Sequence, residues 1–120
     1  MPHQISADVR RVIDDCVECH SVCTETVSHC LQLGGEHVSA EHIRLLLDCA
    51  NACQASAESM LLGSEFQRRL CAVCAEICEA CAKSCERIAG DDSLMKRCAE
   101  ICRRCAASCR EMGGKASKAA

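Results

Sequence analysis

Tryptophan and tyrosine are missing from this chain, and Phe66 is its one aromatic residue. A chain so poor in rings offers a poor haem pocket. No apolar run approaches the ~20 residues that span a bilayer. The opening stretch, MPHQISADVRRV, has no hydrophobic signal core, and Arg10-Arg11 is followed by VIDDC rather than by an export segment. The protein is therefore expected in the cytosol and off the membrane. An excess of one charge is missing too. Fourteen Lys and Arg are interleaved with 17 Asp and Glu, for a net charge of −3, which leaves no basic stripe for nucleic acid. Nothing resembles a Ser, His and Asp set or a phosphate loop, so the chain reads as a binding protein rather than an enzyme.

What is abundant is cysteine, 15 in 120 residues. The stretch CAVCAEICEACAKSC places Cys71, Cys74, Cys78, Cys81 and Cys85 at alternating steps of three and four. At ~100° per helical residue they fall within an arc of about 80°. No Gly or Pro lies between them to make the turns of a loop-type metal knuckle, so the stretch is a helix with a sulfur stripe. The same spacing returns at Cys98, Cys102, Cys105 and Cys109, and at Cys16, Cys19, Cys23 and Cys30. It is shortened to Cys49 and Cys53 in a fourth row. Thr26 fills a gap in the first row, and Leu46, Ser56 and Met60 continue the seam of the short one.

A length of 120 residues suits one domain, 1–120. Its helices are expected at about 6–33, 40–62, 65–89 and 93–112, with a frayed tail at 113–120. Ser6 and Ser39 are N-caps, Ser64 with Gln67 is a capping box, and Asp91, Asp92 or Ser93 caps the last helix. Gly34-Gly35, Gly63 and Gly90 supply the stops. Short links between long helices predict an all-α fold, an antiparallel up-down-up-down four-helix bundle with a cysteine-lined core.

Disulfides are rare in a reducing cytosol, an odd cysteine count cannot pair completely, and cysteines three or four apart on one helix are poor bridge partners. Small buried hydrophobes could be Ala or Val without the oxidation hazard. Metal binding remains. A zinc site of four thiolates leaves a charge of −2, costly to repeat along a closed tube, whereas Cu(I) is soft, accepts bridging thiolates and is neutral at one ion per thiolate. Capacity is then on the order of 15 Cu(I), which suits storage rather than shuttling. A cysteine-rich zinc or mixed-metal binding protein is the alternative, with a thiol oxidoreductase third, although no cysteine pair stands out from the others.

Cys16-Val17-Glu18-Cys19-His20 matches the haem-attachment pattern, but that attachment takes place outside the cytosol, and both cysteines belong to a row. Iron–sulfur clusters usually draw their cysteines from loops containing Gly and Pro. In an antiparallel bundle His29, His37, His42 and Met95 gather at one end, while Ile5, Val9, Met60 and Met112 gather at the other. The first end reads as an ion entrance with His42 and Met95 as ligands, because both lie on cysteine seams. Met60 and Met112 read as a plug, and His20 and His29 as solvated.

The rows CVECHSVC, CANAC, CAVCAEICEACAKSC and CAEICRRCAASC together resemble the bacterial copper storage proteins, over about Ile5 to Met112. The lack of an export signal makes the chain look like their cytosolic branch. That resemblance implies a four-helix bundle holding Cu(I) on core cysteines and assembling as a homotetramer. It carries over to the fifteen row cysteines alone. The two-cysteine row and Thr26 are departures from the pattern that bear on capacity.

Overall fold

Helix starts coincide with side chains able to pair the amide groups that a helix start leaves open. The Ser6 hydroxyl accepts from the Val9 N–H at 3.2 Å, and the Ser39 hydroxyl accepts from the His42 N–H at 3.3 Å. In the computed structural model, which describes residues 4–119 and the side chains of residues 4–114, these caps open α1 (Ala7–Leu33) and α2 (Ala40–Leu62). Asp92 caps α4 (Ser93–Ala119), its Oδ1 accepting from the Met95 N–H at 2.9 Å. Gly34 ends α1 at φ 73°, and a short 3-10 helix, Gly35–Val38, leads into α2.

Two boundaries differ from expectation. α3 (Gln67–Ala89) begins later than residue 65. Ser64 makes no capping box, because its hydroxyl accepts from the Phe66 N–H at 3.1 Å and forms a tight turn instead. At the other end of the chain, α4 does not stop at residue 112 but continues through Gly113-Gly114 to Ala119. Gly113 is a packing residue: a Cβ there would lie 2.6 Å from the Ala72 Cα on α3. Its lack of a side chain lets the two helices approach closely, and this gain offsets its low helix propensity. Residue 120 of the expected tail lies outside the described residues.

The four helices form a closed ring, α1 packing on α2 and α4, and α3 packing on the same two. Cross-helix contacts run in opposite chain directions. Cys16 meets Cys109 while Cys23 meets Cys98, and Cys53 meets Cys74 while Cys49 meets Cys78. The fold is thus the expected antiparallel four-helix bundle, drawn out to 52 × 25 × 20 Å. No helix among the described residues is long and apolar enough to cross a membrane.

Alanine sets how tightly the ring closes. Ala50, Ala75, Ala82, Ala99 and Ala106 each follow a row cysteine and are buried at the helix contacts. With so little bulk beside them, the sulfur rows of facing helices come into van der Waals reach. Outside, Arg104–Glu18 and Arg11–Glu111 tie α1 to α4, and Arg103–Glu86 and Arg110–Glu79 tie α3 to α4. Exposed pairs of this kind contribute up to about 1 kcal/mol each, so the interior governs stability.

Candidate metal centre

All fifteen cysteines are unpaired thiols at 0% exposure, turned into the tube as their helical spacing predicts. Eleven of their sulfurs form a continuous ladder. Starting at the end where α1 begins, Cys16 lies 3.4 Å from Cys109 and 3.8 Å from Cys105, and Cys105 lies 3.8 Å from Cys53. Cys53 is 3.6 Å from Cys78, Cys78 is 3.6 Å from Cys49, and Cys49 is 3.8 Å from Cys19. Cys19 and Cys23 then reach Cys102 at 3.8 and 3.7 Å, and Cys23 reaches Cys98 at 3.9 Å. A metal bound at about 2.3 Å from each thiolate separates its sulfurs by about 3.8 Å in a tetrahedron and about 4.0 Å in a trigonal plane. The sulfurs of the ladder already hold that spacing.

Three quartets have all four sulfurs within 4.8 Å of one another: Cys16, Cys74, Cys105 and Cys109; Cys19, Cys53, Cys78 and Cys105; and Cys19, Cys23, Cys49 and Cys102. They are not separate sites, since the first two share Cys105 and the last two share Cys19. The two-cysteine row on α2 therefore takes part fully, Cys49 and Cys53 each standing in a quartet.

Protons are distributed unevenly along this ladder. Cys102 is shifted up through its contacts with Cys19 and Cys23, and Cys53 through Cys105 and Cys19, with burial adding to both. Cys49 and Cys98 are shifted down, Cys102 being the largest influence on each.

At the end formed by the α1–α2 turn, Cys30 is a hub. Its Sγ lies 3.5 Å from His42 Nε2, 3.6 Å from His37 Nδ1 and 3.6 Å from Met95 Sδ. His42 and Met95, chosen from the seams, are both buried and both touch this thiol. His42 Nδ1 is 2.7 Å from the Ser84 hydroxyl, so Ser84 holds the ring with Nε2 turned to the sulfur. Burial, with the charge of His37, lowers His42 from its ordinary 6.5, which keeps the imidazole neutral and able to ligate. Burial, with the Asp92 carboxylate adding to it, pushes the Cys30 thiol up from 9.0 to about 11.

Sequence reading places His37 at this end without choosing it as a ligand, and it misses Ser84. The contact of His37 depends on the 3-10 helix, and Ser84 lies beside the α3 row rather than on it. Two other histidines, expected to be solvated, instead join helices. His20 is half-buried with Nδ1 2.8 Å from the Ala50 carbonyl, linking α1 to α2. His29 Nε2 lies 2.7 Å from Asp92 Oδ2, linking α1 to the start of α4. At the opposite end Met60 and Met112 are buried, and Met60 Sδ is 3.8 Å from Cys71 Sγ.

A family model described as copper storage protein matches residues 5–114 of this chain. Among solved structures, the Nmul_A1745 protein of Nitrosospira multiformis is 46% identical with a TM-score of 0.84, covering 89% of this chain and 95% of that one. The Cu(I)-bound copper storage protein BsCsp3 of Bacillus subtilis is 33% identical, with a TM-score of 0.81 and coverage of 88% and 98%. A cytosolic copper storage protein from Streptomyces lividans, solved with five coppers, is 29% identical, with a TM-score of 0.77 and coverage of 89% and 92%.

Proposed function

The chain belongs to the copper storage protein family, and from that premise we propose that it stores Cu(I) in the cytosol, bound as thiolate clusters along the bundle core. The observation that carries this reading is the sharing of Cys105 and Cys19 between successive quartets. Sharing suits an ion that accepts bridging thiolates and low coordination numbers. It counts against zinc: three Zn²⁺ on the ten thiolates of the three quartets would leave a buried charge of −4, whereas ten Cu(I) would leave none. The ligands are Cys16, Cys19, Cys23, Cys30, Cys49, Cys53, Cys71, Cys74, Cys78, Cys81, Cys85, Cys98, Cys102, Cys105 and Cys109.

A distributed store has a testable signature. Cys78 touches Cys49, Cys53 and Cys74, yet each of these has other sulfur neighbours. Cys78→Ala is expected to lower Cu(I) capacity by only one or two ions while the far-ultraviolet circular dichroism stays helical. Loss of all binding from that single change would contradict the reading.

Copper enters, on this reading, where Cys30 meets His37, His42 and Met95. These donors include neutral nitrogen and thioether groups, which bind Cu(I) without the proton release that a thiol requires. His42→Ala with Met95→Leu is expected to slow Cu(I) uptake in stopped-flow transfer from a chelator by about tenfold, leaving final capacity within one or two ions of the parent. Unchanged uptake would place the entrance elsewhere.

The reading includes no catalytic role. It also includes a homotetramer. Phe66, at the start of α3, and Leu70, Val73 and Ile77 on it recur at helical spacing, the first three at 50%, 37% and 51% exposure. An apolar stripe of this kind supports packing against another copy. Light scattering coupled to size exclusion reads the mass directly.

A further inference from the structure

Ser56 is fully buried, and its hydroxyl is the one buried side-chain N or O atom without a hydrogen-bond partner among the described residues. An orphan hydroxyl is costly, and alanine would be both cheaper and a better helix former at this position. The surroundings suggest what the hydroxyl is for. On the α2 seam Ser56 lies three residues after Cys53 and four before Met60, at the end of the tube opposite the histidines. The Cys53–Cys74 and Met60–Cys71 contacts bracket Ser56 along the antiparallel α2–α3 seam, so it lies beside Cys71, the first thiol of the α3 row. In the copper-free chain the Cys71 S–H donates to the Met60 thioether across 3.8 Å, so a proton occupies the space between two soft sulfur donors.

We propose that Cys71, Met60 and Ser56 form a terminal Cu(I) site that closes the cluster at this end. The Cys71 thiolate and the Met60 thioether ligate the ion, and the Ser56 hydroxyl donates to the thiolate. Copper replaces the thiol proton: the S–H bond breaks, the proton leaves to solvent, a Cu–S bond forms, and no electron is transferred. Ser56, unpartnered while Cys71 keeps its proton, then gains a charged acceptor. Cu(I) between one thiolate and one neutral thioether is uncharged, which suits an end walled by Val12, Ile13 and Met112. The unbranched Met60 side chain can shift to widen the 3.8 Å gap between the two sulfurs as the ion enters between them. A thioether is the weaker donor, so this ion is the last to be held tightly.

The proposal rests on the storage reading, and the two can fail separately. The test is an anaerobic Cu(I) titration of the full reduced chain against a chelator, with thermal melting of the empty protein, for the parent, Met60→Leu and Ser56→Ala. Met60→Leu keeps the volume and removes the sulfur, and is expected to lower the plateau by one ion. Ser56→Ala is expected to keep the ion count, weaken the last ion by about tenfold and raise the melting temperature of the empty protein. That opposite pair of shifts is not what a purely structural role would give. An unchanged plateau in Met60→Leu together with an unchanged last ion in Ser56→Ala overturns the terminal site and leaves storage intact. A lower melting temperature in empty Ser56→Ala overturns the role given to its hydroxyl. A parent plateau of two to four ions overturns the storage reading itself.

Discussion

Titrated anaerobically against a competing chelator, the reduced chain is expected to take up Cu(I) to a plateau near one ion per thiol, on the order of 15, and to release about one proton with each. The count follows from charge. Every thiol is buried, so each cation that enters must be matched by one proton that leaves if the tube is to remain neutral. The same titration with zinc is expected to saturate at a few ions and to lose them readily to the chelator. Loading should also change stability on a large scale. A site at a thousand times its dissociation constant adds about 4.1 kcal/mol, and a few such sites match the ~5–15 kcal/mol that holds a typical domain together. The loaded chain is therefore expected to melt far above the empty one. A plateau at two to four ions, or a preference for zinc, would return the cysteine-rich zinc reading to first place.

Raising the pH of the copper-free protein should produce the second large effect. Eleven of the fifteen thiols are shifted up, and four, Cys19, Cys49, Cys74 and Cys98, are shifted down. A thiol whose folded pKa lies above 9.0 contributes stability that is complete below pH 9 and is lost as the pH rises through the folded value. Thiols shifted down act the other way, yet each depends on a neighbour that stays protonated. Cys30, raised from 9.0 to about 11, contributes on the order of 2–3 kcal/mol, all of it lost between those two values. With the upward shifts in the majority, the melting temperature of the empty protein is expected to fall steeply from pH 9 to pH 11, followed by circular dichroism under reducing conditions. The copper-loaded protein, its thiols already deprotonated, should show little change over the same range. A flat profile for the empty protein would mean that the thiols ionise without leaving the core, and so that water reaches them.

Periodicity alone determined the number of helices, the antiparallel ring and the inward direction of all fifteen sulfurs. A cysteine recurring every three or four residues can lie only on one face of a helix, and short links leave adjacent helices no choice but to return. Ser6 and Ser39 were legible as caps, and Asp92 as one of three candidates, because capping is local chemistry, settled within three residues. His42 and Met95 could be chosen from the seams for the same reason that the cysteines could.

The tertiary structure decided what depends on axial register and close packing between helices. Which sulfurs form quartets, and that Cys19 and Cys105 each belong to two of them, depends on how far α1 and α4 slide past their neighbours. Alanine contacts and the approach of Gly113 to Ala72 set that slide, and no single-helix pattern encodes it. His37 joins Cys30 only because a 3-10 helix turns it back, and Ser84 reaches His42 from a third helix. Ser56 read only as a continuation of the α2 seam; packing on all sides reveals a hydroxyl with no partner but a thiol that has yet to ionise. Periodicity selects the face of a helix, whereas the identity of its partners is a property of the assembled core.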